Sequence, residues 1–229
     1  MSLDAKHSEE LRRSLPYVVP FFAFLIFLAV EREFQFPPEI FYPLRCVSVL
    51  LILFIFSRKV ISFRVSHAPG SVALGIAVFA LWIAPDLLWP GYRGHWLFSN
   101  AILGKAETSL VPAAQANAVF LSFRFIGASV AVPVLEELFW RAYLPRWLIN
   151  HEFWKLPVGT FNHSAFWIVA VLFASEHGSF WDVGLLAGVL YNWWMLKTKS
   201  LGDCILAHAV TNACLSGYVI RFGQWQYWL

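Results

Sequence analysis

Three short stretches put groups capable of chemistry into surroundings that otherwise avoid charge. They are EELFWR (Glu136, Glu137, Arg141), FASEH (Phe173, His177) and HAVTN (His208, Asn212). Glu136 and Glu137 are consecutive, so on a helix they point about 100° apart and cannot do the same job. Glu137 and Arg141 are spaced i,i+4 with the acid N-terminal, the favourable order for an ion pair. That pairing leaves Glu136 without a counter-charge, and a carboxylate left in an apolar cavity is a candidate general base. The i,i+4 spacing also puts Phe173 with His177, and His208 with Asn212, on single helix faces. One buried histidine is more often a packed core residue than a catalyst. Two of them beside a lone acid and a carboxamide are harder to assign to packing. At the interfacial end of a span the same charges would be cheap, so EELFWR alone does not separate a catalytic acid from a solvated helix end.

The elements that must position these groups are membrane helices. Hydrophobic residues make up 59% of the 229-residue chain and charged residues 14%, where a soluble domain carries about 25% charged residues. The mean hydropathy is +0.61. Apolar residues run continuously over about 15–30, 42–57, 71–90, 113–135 (continuing as helix towards 149), 162–178, 181–196 and 200–219. Runs of this length suit helices crossing hydrocarbon and are too uniform for barrel strands. The expected fold is all-α: a single polytopic bundle over residues 1–229 with about seven transmembrane helices, or eight if GHWLFSNAIL (95–104) is re-entrant. The first apolar stretch has no small-residue cleavage site and ends in EREF, so it reads as a retained first span.

Charge distribution gives an expected orientation. With the N-terminus cytoplasmic, inner segments hold Lys6, Arg12, Arg13, Arg58, Lys59, Arg64, Arg141, Arg146, Lys155, Lys197 and Lys199, against Arg32, Arg93, Lys105 and Arg221 outside. Trp82, Trp89, Trp96, Trp147, Trp154, Trp181, Trp225 and Trp228 fall near expected span ends and read as aromatic belt or packing. Cys46, Cys204 and Cys214 lie in apolar segments and read as small packing residues. The net charge of +3 is too small to imply nucleic acid. Among the remaining polar residues, Arg45 is expected to snorkel from near a span end. Glu31, Arg32 and Glu33 read as a solvated turn, Asp86 as interfacial, and Asp182 and Asn162 as helix caps. Glu176 should face a different direction from its neighbour His177. Arg124, three turns before Glu136, is a candidate for binding a substrate carboxylate or a lipid headgroup.

In order and spacing the three motifs resemble the EExxxR, FxxxH and HxxxN/D pattern of the CPBP family, the type II CAAX prenyl endopeptidases, over roughly residues 113–220. A narrower likeness, carried by VPVLEELFWRAYL and AHAVTN, is to CAAX-protease-related proteins of bacterial exosortase systems. The resemblance implies an intramembrane endopeptidase cutting near the membrane-associated end of a membrane-anchored or lipidated protein, in a bacterial plasma membrane, with an exosortase-system protein as partner. Carried over by position, Glu136 would activate water with help from His177. His208 and Asn212 would stabilise the oxyanion, and Glu137, Arg141 and Phe173 would support the site. Zinc on Glu136, His177 and His208 is the alternative. HExxH is absent, and ligation would consume the only evident base, so metal-independent chemistry is favoured. A non-catalytic membrane scaffold or immunity-type protein of the same fold is the competing reading. A proton-relay transporter is disfavoured by the sparse polar content of the first three spans.

Overall fold

The computed structural model describes residues 3–108 and 110–228, with side chains from residue 6 onward. Seven long helices carry the described chain: α1 (Leu3–Phe34), α2 (Pro38–Ile52), α3 (Ala68–Leu88), α4 (Ala118–Ile149), α5 (His163–Ser175), α6 (Trp181–Thr198) and α7 (Leu201–Phe222). α2 runs on as a π turn over Leu53–Ser57. Five helices are long and apolar enough to cross a membrane: α1, α2 with its π turn, α3, α4 and α7. α5 is apolar but only 13 residues long. It pairs with α6 as a hairpin, tied where Asn192 Nδ2 donates to the Phe166 carbonyl at 2.9 Å. No strand occurs among the described residues.

Segment 95–104 is not an eighth helix. It folds as a tight loop in which Asn100 Oδ1 accepts from the Ile102 and Leu103 amides at 2.9 and 3.0 Å. Phe98 is buried and packs on the rings of Tyr92 and Trp181. Ten residues are too few to cross hydrocarbon, and the asparagine closes the turn before a helix can start.

Burial is inverted relative to a water-soluble domain. Ile26 and Ile55 are 62% and 65% exposed, while Glu137 and Arg141 are 0% and 1% exposed. A chain that turns large aliphatic side chains outward and ionised ones inward is built for a lipid surround, where helices satisfy every backbone group internally. Together with the five apolar helices, this makes the chain an integral membrane protein.

α4 is the element on which the site depends, and it is not a uniform α-helix. π turns interrupt it at Gly127–Ala131 and at Leu138–Tyr143. The second has a cause in the sequence. Pro145 has no N–H, and its ring crowds the carbonyl four residues earlier, that of Arg141. Widening the preceding turn lets the helix continue to Ile149 without a break.

α3 packs directly against α7, and the approach is set by one residue without a side chain. A Cβ on Gly75 would lie 2.5 Å from the Ala207 carbonyl and 2.7 Å from Val210 Cβ. Thr211 Oγ1 completes the contact by donating to the Gly75 carbonyl at 2.9 Å. Gly75→Val should therefore lower the melting temperature of the detergent-purified protein, with an overpacking cost of about 1–3 kcal/mol. Gly217, on the same helix α7, meets nothing within 4 Å. Gly217→Ala should be neutral or stabilising by up to about 1 kcal/mol. Equal effects of the two substitutions would show that the α3–α7 approach does not limit stability.

Candidate active site

The three motifs converge on one cavity of about 390 Å³. Glu136, His177, His208 and Asn212 all line it, as do Phe173 and Arg124. Positions 124, 128, 132 and 136 of α4 form its long wall, so it extends about 18 Å along the helix from Glu136 to Arg124.

Glu137 and Arg141 make the ion pair that their spacing suggests, Nε to Oε2 at 3.3 Å, with neither side chain exposed. The guanidinium lies over the Phe173 ring at 4.3 Å and near the Tyr191 ring at 5.4 Å. The other Glu137 oxygen accepts from His208 Nδ1 at 2.8 Å. His208 Nε2 then lies 3.9 Å from Glu136 Oε2. The result is a line of alternating groups, Arg141–Glu137–His208–Glu136, in which the first acid is neutralised and the last faces the cavity. Glu136 Oε2 is buried without a hydrogen-bond partner among the described residues, so it is open to a molecule entering the cavity.

His177 stands just past the end of α5, where the last carbonyls of a helix lack intrahelical donors. Its Nδ1 lies 2.7 Å from the Phe173 carbonyl. A carbonyl can only accept, so Nδ1 carries the hydrogen and Nε2 keeps its lone pair. The FxxxH spacing thus fixes the tautomer as well as the position. Phe173 is 1% exposed and touches both imidazoles, with ring centroids 4.7 Å from His177 and 6.2 Å from His208. It also separates Arg141 from the cavity. Asn212 Nδ2 spends one hydrogen on the Ala128 carbonyl of α4 at 2.9 Å, and its second remains for a cavity group.

Several contributors escaped the sequence reading. Glu176, expected to face a different direction, lines the same cavity as His177, and Trp140 Nε1 donates to its carboxylate at 2.9 Å. Tyr191 stacks on His208 with centroids 5.1 Å apart, and its hydroxyl donates to Thr211 at 2.7 Å. Trp82, expected as belt or packing, packs here at the cavity wall, its ring 5.2 Å from that of His177. Arg124 does border the interior, with its guanidinium over the rings of Tyr42 and Trp228 at 4.8 and 5.5 Å.

Other expectations need correction. Arg45 does not snorkel. It is 3% exposed, ion-paired with Glu31 and set over the Tyr42 ring at 4.5 Å. Glu31, Arg32 and Glu33 belong to the last turns of α1 and not to a solvated turn. Asp182 sits in the first turn of α6, where it binds Arg93 and the Tyr92 hydroxyl instead of capping. Arg93 also pairs with Asp86 at 3.2 Å, which closes one end of the bundle. Burial and the adjacent Asp182 raise the Tyr92 hydroxyl above its ordinary pKa. Asn162 caps α5 as expected, accepting from the Ala165 amide at 3.0 Å.

Among the described residues no group of three or more His, Cys, Asp or Glu side chains could hold an ion. His208 Nδ1 and His177 Nδ1 are each committed to an oxygen acceptor.

Removing one member of the buried pair should cost more than removing both charges. Arg141→Ala strands the Glu137 carboxylate and should destabilise by about 3–5 kcal/mol. The double variant Glu137→Gln, Arg141→Met keeps an acceptor for His208 and should recover much of that loss. Thermal unfolding of both in detergent checks the order, and equal destabilisation would mean that the pair is not coupled.

Residues 118–214 match the family model for type II CAAX prenyl endopeptidase, Rce1-like. No curated protein and no solved structure matches the chain. The matched stretch runs from the first turn of α4 to two residues beyond Asn212, and so contains every residue of the three motifs. The protein is an all-α integral membrane protein whose residues 118–214 are similar to the type II CAAX prenyl endopeptidase Rce1-like family.

Proposed function

We propose that the protein is an intramembrane endopeptidase that hydrolyses a peptide bond near the membrane-associated end of a membrane-anchored or lipidated protein. The observation that carries this reading is the separation of the two acids. Glu137 is consumed by Arg141 and His208, while Glu136 Oε2 has no hydrogen-bond partner among the described residues and Glu136 borders the cavity. Pairs of carboxylates driven into different environments commonly take different roles.

In this mechanism water enters between Glu136 and His177. Glu136 takes a proton from the water, with His177 Nε2 accepting a hydrogen bond to orient it. The hydroxide adds to the scissile carbonyl carbon. The resulting oxyanion is met by the remaining Asn212 hydrogen and by His208. Because Nδ1 of His208 donates to Glu137, Nε2 can donate to the oxyanion only when the ring is an imidazolium. Glu136 then returns its proton to the departing amine as the C–N bond breaks. Each oxyanion donor of this kind is typically worth about 3–4 kcal/mol in the transition state. An extended peptide advances about 3.3 Å per residue, so the roughly 18 Å slot has room for about five residues. Arg124 at its far end offers positive charge to a substrate carboxylate. Water between an acid and a base makes a nucleophile without a metal, and the chemistry is metal-independent. The N-terminus is cytoplasmic, by the distribution of Lys and Arg. A bacterial plasma membrane and an exosortase-system partner follow only from the narrower likeness.

Glu136→Gln keeps size and burial while removing the base. Membranes carrying this variant should accumulate the protein normally yet fail to process substrate. Terminal-peptide proteomics of the two membrane fractions would show uncleaved precursors only with the variant. Identical termini in both would end the protease assignment and favour the scaffold reading. Once a precursor is in hand, o-phenanthroline should leave its cleavage by purified enzyme unchanged. Inhibition that zinc reverses would overturn the metal-free mechanism.

A further inference from the structure

A second cavity, of about 330 Å³, lies at the end of the bundle where the α2–α3 connection, the α4–α5 connection and the α6–α7 turn meet. Arg64, Arg146 and Lys199 line it together with Ser62 and Ser66, and no carboxylate does. Three positive charges therefore face one small space. Asp203, which binds the amide of the lining residue Ser66, is fully buried. Its oxygens are occupied by the Ser66 and His67 amides at 3.0 and 2.8 Å and by Ser71 Oγ at 3.0 Å.

Among the described residues none of the three cations is ion-paired. Arg146 is 7% exposed, and it forms no ion pair among the described residues. Its partners are neutral: the Ala142 carbonyl, the Leu156 carbonyl at 3.0 Å, and the Tyr17 and Phe153 rings. A buried cation without a counter-ion is costly, and a bound anion would offset that cost. Lys199 sits at φ 53°, a left-handed conformation that favours glycine, where it ends α6 and reaches the Gly159 carbonyl. Arg64 is exposed, but its backbone is fixed. Ser200 Oγ donates to its carbonyl at 2.9 Å, and Gly202 lets that carbonyl approach so closely that a Cβ would lie 2.4 Å away.

We propose that this cavity binds a phosphate group, gripped by Arg146 from the buried side and by Lys199 and Arg64 from the rim. Guanidinium groups match phosphate oxygens in pairs, and the lysine adds a point charge. The phosphate belongs either to an anionic lipid headgroup or to a soluble ion. The site is separate from the proposed catalytic cavity and does not depend on that function.

The test uses full-length protein and reads thermal stability, since a ligand that binds only the folded state raises Tm by mass action. One arm adds inorganic phosphate in a neutral detergent, against chloride at equal ionic strength. The other compares nanodiscs of phosphatidylcholine with nanodiscs containing phosphatidic acid. The variants are Arg64→Ala, which removes an exposed side chain, and Lys199→Gly, which suits the local φ. Phosphate, phosphatidic acid or both should raise Tm in the parent. Phosphate alone would identify a soluble anion and phosphatidic acid alone a headgroup. Each variant should need about tenfold more phosphate for half the rise, about 1.4 kcal/mol per site lost, and the double variant should show none. No rise with either probe, or an equal rise in the double variant, overturns the proposal.

Discussion

The buried pair of Glu137 and Arg141 is the constraint on which the site rests. Neither side chain is exposed, and their 3.3 Å contact lies among aromatic rings in a protein built for lipid. Two isolated ions there would be prohibitive, and their mutual attraction makes the arrangement tolerable. The pair has two further consequences. It gives His208 a fixed acceptor and so sets the orientation of its ring. It also commits Arg141 to Glu137 and not to Glu136, so that the two adjacent acids end in different surroundings. Phe173 enforces this division by lying between Arg141 and the cavity while touching both histidines.

Helix irregularity is the second requirement. A straight α4 would need its Arg141 carbonyl to face Pro145, which has no N–H and no room for that oxygen. The π turn over Leu138–Tyr143 relieves this and falls immediately after the two glutamates. π turns inside α-helices often mark functional sites. Here the cause is local in sequence and the effect is local in space. Arg141 is still carried to Glu137, and Trp140 is turned toward Glu176.

What the sequence made legible follows from which arguments stay within one helix. The Glu137–Arg141 pair and the shared face of His208 and Asn212 depend only on 3.6-residue periodicity, and the structure has the pair in contact and the His–Asn face on the cavity. Glu176 was misread for an identifiable reason. Its direction was inferred from a helical rotation relative to His177, yet α5 ends at Ser175 and neither residue continues it. Arg45 was misread because its partner is on another helix. The connection between α1 and α2 is only three residues, which sets Glu31 beside Arg45, and no periodicity within α2 reports that. Tyr191 and Thr211 had no motif to mark them. Their contact crosses from α6 to α7, and an apolar helix containing one tyrosine looks like packing.

α4 ties the two cavities together. Glu136 faces the proposed catalytic space, Arg141 lies buried between, and Arg146 faces the basic cavity, all within about three turns. The π turn and Pro145 fall between the first and the last of these. Arg146 Nε reaches back to the Ala142 carbonyl at 2.5 Å, inside the widened turn. Arg146 therefore has two connections, to the cavity at the bundle end and to the backbone that carries the Glu137–Arg141 pair. The cost of keeping an unmatched guanidinium there is easier to understand if the turn needs a side chain to close it. The widened turn creates a backbone acceptor, and a long donor three residues after the turn is the simplest group that reaches it.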